Sequence, residues 1–81
     1  MDRIEIMQKL TEIAVDKLAV EAAVVKAESD IVKDLGADSL DLAEFVLEIE
    51  TKFNIRIPDD EATGIITIGD AIIQIEKKLN Q

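Results

Sequence analysis

The chain contains neither cysteine nor histidine. No Ser-His or Cys-His pair can be assembled, and a serine without an adjacent base is a weak nucleophile. There is also no disulfide framework and no thiol chemistry, which fits a reducing compartment. Tryptophan and tyrosine are absent and phenylalanine occurs twice, so the core must be built from Ile, Leu, Val and Ala. Bases are scarce: nine against 18 acids, a net charge of -9. That balance excludes DNA and RNA as partners, whose binding depends on Lys and Arg neutralising phosphates, and it favours a basic partner surface. No stretch approaches the ~20 apolar residues of a membrane span, and Met1-Asp2-Arg3-Ile4-Glu5 lacks the basic start and apolar run of a signal peptide. The expectation is a soluble, cytoplasmic monomer with one domain over residues 1–81. An organellar protein already relieved of its transit peptide would read the same way.

Present instead are amphipathic segments at helical spacing. From Asp2 to Leu18, Ile6, Met7, Leu10, Ile13, Ala14 and Leu18 share one face, opposite Glu5, Lys9, Glu12 and Asp16. A long connection follows from Ala19 to Ala37, with a turn or two of helix expected over Ala22 to Ala27 and with Ile31, Val32 and Leu35 expected to anchor it in the core. A second helix starts at Asp38, where Asp41 three residues on makes an Asp version of the capping box, and runs to about Phe53. Pro58 marks the break before a short helix over Asp59 to Thr63 that Gly64 ends. Thr67 and Asp70 form another capping box, opening a last helix with Ile68, Ala71, Ile72, Ile75 and Leu79 as its buried stripe and Lys77 and Lys78 at its negative pole. Gly64 to Ile68 has no partner strand in this reading and is not taken as a strand. The fold class is therefore all-α: a four-helix bundle with three main helices, one short third helix and a long first loop.

The second helix carries two patterns. Leu42, Phe45, Val46, Ile49 and Phe53 seat it on the core. Leu40 and Leu47 lie nearly opposite, sharing their face with Glu44 and flanked by Asp41, Glu48 and, further round, Glu50. Apolar residues two turns apart in an acidic field have the makings of a helical recognition surface. Between Asp34 and Glu61 nine acids face only Lys52 and Arg56. Such concentrated repulsion lowers stability, and its use lies in steering basic partners. A calcium loop does not fit: starting from Asp34, Ser39 stands where glycine is required and Phe45 where a bidentate Glu is needed. No metal site is expected.

Ser39 is the remaining candidate. A serine at a helix start ordinarily caps it, but Asp38 already fills that role. Ser39 then takes the first helical position with its oxygen outward, where free amides and the positive helix pole favour an attached phosphate.

The run Asp34-Leu35-Gly36-Ala37-Asp38-Ser39-Leu40-Asp41 resembles the phosphopantetheine attachment signature of the acyl carrier proteins of fatty acid synthesis, and Ile57-Pro58-Asp59-Asp60-Glu61-Ala62 resembles their acidic third-helix segment. The likeness runs from the first helix to near the last residue. It implies that Ser39 is esterified by the 4'-phosphopantetheine of coenzyme A through a separate phosphopantetheinyl transferase. The arm's terminal thiol would then carry growing acyl chains between synthesis enzymes, the protein itself being non-catalytic. It further implies that Asp38, Leu40, Asp41, Glu44, Leu47, Glu48 and Glu50 meet basic docking patches on those enzymes. By the same resemblance Ile31, Phe45, Val46, Ile49, Ile57, Ala62, Ile65, Ala71 and Ile72 line a shelter for the acyl chain. Three positions depart from the family pattern: Ala19 stands where glycine is common, Phe45 where Leu is usual, and Gly64 near a commonly basic position. A polyketide, peptidyl or D-alanyl carrier would share the modified serine. An unmodified acidic adaptor, binding basic helices through Leu40 and Leu47, also remains open.

Overall fold

Helices form where the apolar spacing asks for them. In the computed structural model, which describes residues 1–80, α1 spans Arg3–Leu18, α2 Ser39–Phe53, α3 Asp59–Ala62 and α4 Ile68–Leu79. Each long helix begins on a side-chain cap. Asp2 accepts from the Glu5 amide at 2.9 Å, and complete capping boxes link Asp38 with Asp41 and Thr67 with Asp70. These satisfy amides that have no partner inside the helix.

One core unites the elements. Ile6, Leu10, Ile13 and Ala14 from α1 meet Phe45, Val46, Ile49 and Phe53 from α2 and Ile68, Ala71, Ile72 and Ile75 from α4. Met7, Leu18, Leu42 and Leu79 are only partly buried against this cluster, at its margins. α1 packs chiefly on α2 and then on α4. At its open end Arg3 donates to both Glu76 carboxylate oxygens, at 3.2 and 2.7 Å, and that hydrogen bonding holds the Glu76 carboxyl below its ordinary range.

The first loop differs from expectation in two ways. Its helical turn covers only Ala22–Val24 as a 3₁₀ turn, because the buried Ser29 hydroxyl accepts from the Lys26 amide and donates to the Val24 carbonyl, diverting the groups that would extend it. Ile31 and Leu35 are buried as expected, but Val32 is 50% exposed. Ile31 and Leu35 are four residues apart in a hydrogen-bonded turn and share a face; Val32 falls on another.

The loop is also a partner for the segment before α4. Ile31 N donates to Ile66 O at 2.9 Å, Ile68 N to Ser29 O at 3.0 Å and Gly69 N to Ala27 O at 2.8 Å, with a single antiparallel bridge between Asp30 and Thr67. Gly64 to Ile68 therefore forms no strand among the described residues, yet it does have a pairing partner. The end of α3 is a further correction. Gly64 is not in the left-handed region, and α3 unwinds after Ala62 through tight bonds from Gly64 N to Glu61 O and Ile65 N to Ala62 O.

Candidate functional site

The approach to α2 is built by two small residues. Gly36, at φ 75°, occupies the left-handed region where a side chain would be strained, and Ala37 behind it is buried. Asp38 then stops short of the helix with extended backbone. Its Oδ1 accepts from Asp41 N at 2.8 Å, while Asp41 Oδ2 accepts from Asp38 N at 3.3 Å. Ser39 follows as the first helical residue, exposed, and among the described residues its hydroxyl makes no hydrogen bond. The Ser39 and Leu40 amides lie in the first turn with no intrahelical acceptor.

Beside Ser39, between α2 and α3, opens a groove of about 420 Å³. Ser39, Leu42, Ala43, Val46, Leu47 and Glu50 form its α2 wall; Ile57, Asp59, Ala62 and Thr63 form the other. Of the shelter residues expected by resemblance, Val46, Ile57 and Ala62 line this groove, Val46 on the α2 wall and the other two opposite. Ile31, Phe45, Ile49, Ile65, Ala71 and Ile72 are instead packed in the core away from it. Sequence reasoning did not single out Leu42, Ala43 or Thr63 as groove residues. The only available signal for Leu42 and Ala43 was a face of α2 shared with Ser39, and Thr63, just past α3, had none.

The expected docking residues divide by what their side chains already do. Leu40 and Leu47 are 67% and 61% exposed, and Glu44 is exposed with no side-chain hydrogen bond or ion pair among the described residues. Asp38 and Asp41 are engaged in the cap. Glu48 lies 3.9 Å from the Lys17 ammonium, in a shallow hollow shared with Glu44, Leu47 and Thr51. Glu50 turns away from this group: its Oε2 accepts from Ile57 N at 2.7 Å. Leu47 borders both hollow and groove.

An accessible, unbonded serine hydroxyl at a capped helix start, next to an apolar groove, is the geometry an attached phosphodiester arm needs. The family model described as "Phosphopantetheine attachment site" matches residues 8–75 of this chain. The chain belongs to the acyl carrier protein family. Acyl carrier proteins of Amoebophilus asiaticus and Prochlorococcus marinus are 51% and 49% identical to it, over 93% and 96% of this chain and 94% and 98% of theirs. A solved acyl carrier protein from Enterococcus faecalis is similar in fold, with a TM-score of 0.80 at 38% identity, covering 96% of this chain and 99% of that one. The group this family implies is 4'-phosphopantetheine. Like the acyl carrier proteins it resembles, the chain is helical, and no helix among its described residues is long and apolar enough to cross a membrane.

Proposed function

We propose that this protein is a non-catalytic shuttle of fatty acid synthesis, carrying growing acyl chains as thioesters on a 4'-phosphopantetheine arm attached to Ser39. The observation that carries this reading is the exposed Ser39 hydroxyl, free of hydrogen bonds among the described residues, at the start of α2, with an apolar groove opening next to it. A phosphopantetheinyl transferase supplies the arm from coenzyme A. When bound, the arm provides the terminal thiol that this cysteine-free chain lacks. The residues of the chain do the rest. Asp38 holds the helix start so that Ser39 faces outward, and the open amides of Ser39 and Leu40 favour the negative phosphate at the positive helix pole.

Leu42, Val46, Leu47, Ile57 and Ala62 offer apolar surface to the chain carried. Each methylene removed from water there contributes about 0.8 kcal/mol. The core residues Ile31, Phe45, Ile49, Ile65, Ala71 and Ile72 are the apolar interior into which a longer chain extends. Leu40 and Leu47 supply apolar contacts to partner enzymes, while Glu44 and Glu48, with Asp38 and Asp41, supply the negative field that steers basic patches into brief encounters. Covalent tethering raises the effective concentration of cargo at each partner's active site. On this reading the protein works as a cytoplasmic monomer.

Intact mass spectrometry tests the reading. Incubation with coenzyme A and a phosphopantetheinyl transferase adds the mass of one arm to the wild type and nothing to Ser39→Ala. A wild type that stays bare, or a variant that still gains the arm, overturns it.

A further inference from the structure

Resemblance groups Glu50 with the docking acids, but its surroundings assign it other work. At about 100° per residue it lies only about 20° around the α2 axis from Ser39 and about 120° from Glu44, and at about 1.5 Å per residue it stands about 16 Å further along the helix from Ser39. It is half-buried and forms part of the groove wall. Its carboxylate accepts from Ile57 N at 2.7 Å, and its backbone carbonyl accepts from Asn54 N and, at 3.1 Å, from Ile55 N. One residue thus ends α2 and ties down the chain that leads to α3.

That chain decides where α3 sits. Among the described residues the four-residue α3 has no side-chain cap; its first hydrogen-bonded amides, those of Glu61 and Ala62, go to the Pro58 carbonyl at 3.0 and 2.9 Å. A helix this short has little stability of its own. Its place therefore depends on the anchored Ile57–Pro58 pair at one end and on the Lys78–Glu61 ion pair, 2.9 Å, at the other. A hydrogen bond to a carboxylate is roughly twice as strong as a neutral one, which makes the Glu50–Ile57 bond the firmer anchor on the groove side.

We propose that Glu50 is a positioning residue of the cargo groove: through its bond to Ile57 N–H it fixes the α3 wall, and it takes no part in docking basic partners. The proposal rests on the groove's role as the cargo site given above. It makes Glu44 and Glu50, two acids of one helix, separable by experiment.

Three variants, Glu50→Gln, Glu50→Ala and Glu44→Gln, are compared by exchange of the Ile57 amide in the unloaded protein, by the rise in melting temperature from unloaded to octanoyl form, and by Kd for the phosphopantetheinyl transferase. Glu50→Gln retains an acceptor but only a neutral one, so its Ile57 exchange and octanoyl rise fall between those of the wild type and Glu50→Ala, with transferase binding unchanged. Glu50→Ala exchanges the Ile57 amide about tenfold faster and loses at least half of the octanoyl rise, with transferase binding unchanged. Glu44→Gln weakens transferase binding and leaves the other two alone. If Glu50→Gln weakens the transferase as Glu44→Gln does, or if Glu50→Ala keeps the full octanoyl rise and wild-type exchange, the proposal is overturned by itself. If octanoyl loading fails to raise the wild-type melting temperature, the groove reading falls and takes the proposal with it.

Discussion

Single residues carry both strain and function here, and the two are separable. Ala19 ends α1 at φ 55° and ψ 39°, a left-handed conformation in which its Cβ crowds the backbone, at the position where the family commonly has glycine. Ala19→Gly should raise stability by about 1 kcal/mol, read as a higher urea midpoint with an unchanged slope. Asp70 acts in the opposite sense. Its carboxylate accepts from the Thr67 and Ile66 amides, both at 3.0 Å, and these bonds hold its carboxyl below the ordinary range. A depressed folded value means that the contribution is complete above the unfolded value, near pH 4, and is lost as pH falls through the folded one. Asp70→Asn should therefore be less stable at neutral pH, with the gap to the wild type closing as the pH falls below about 4; a gap that persists undiminished well below about pH 4 would contradict this. Asp70 was legible in the sequence as a capping-box acid. Its second bond, to Ile66, was not, because that depends on how the chain enters the helix.

At the scale of elements, the first loop is an ordered part that sequence periodicity describes poorly. α1, α2 and α4 follow their apolar stripes and caps closely, since those signals are local. The loop is held by backbone bonds to the start of α4 and by Ser29, which is 6% exposed and satisfies two backbone groups at once. Removing that hydroxyl leaves the Lys26 amide and Val24 carbonyl without their partner, at a cost of about 1–3 kcal/mol. Ser29→Ala should lower the melting temperature and speed exchange at Ile68 and Gly69, whose amides donate to Ser29 and Ala27 in the loop. An equally stable variant with unchanged exchange would show that the loop is held by its apolar anchors alone. Nothing in the sequence distinguished Ser29 from an ordinary loop serine, because its partners are set by a turn geometry with no periodic signature.

For the whole molecule, charge and core pull against each other. A net charge of -9 on 81 residues, concentrated between Asp34 and Glu61, opposes compaction, and few cations lie near enough to relieve it. Magnesium or added sodium chloride should raise the melting temperature by screening this repulsion; no change in either would mean the acids are already balanced by local contacts. The amino-acid sequence by itself determined the helical class, the three long helices, the capping boxes that open α2 and α4, a core mostly of aliphatic residues, the outward Leu40 and Leu47, and the placement of Ser39 at a helix start. All of these follow from spacing and side-chain chemistry within one or two turns. Only the tertiary structure decided that Val32 faces solvent, that the loop pairs with the entry to α4, that the groove runs along the Ser39 face of α2, and that Glu50 turns toward Ile57. Those outcomes depend on which groups from distant segments meet, and a backbone amide such as that of Ile57 leaves no mark in sequence until the fold brings an acceptor to it.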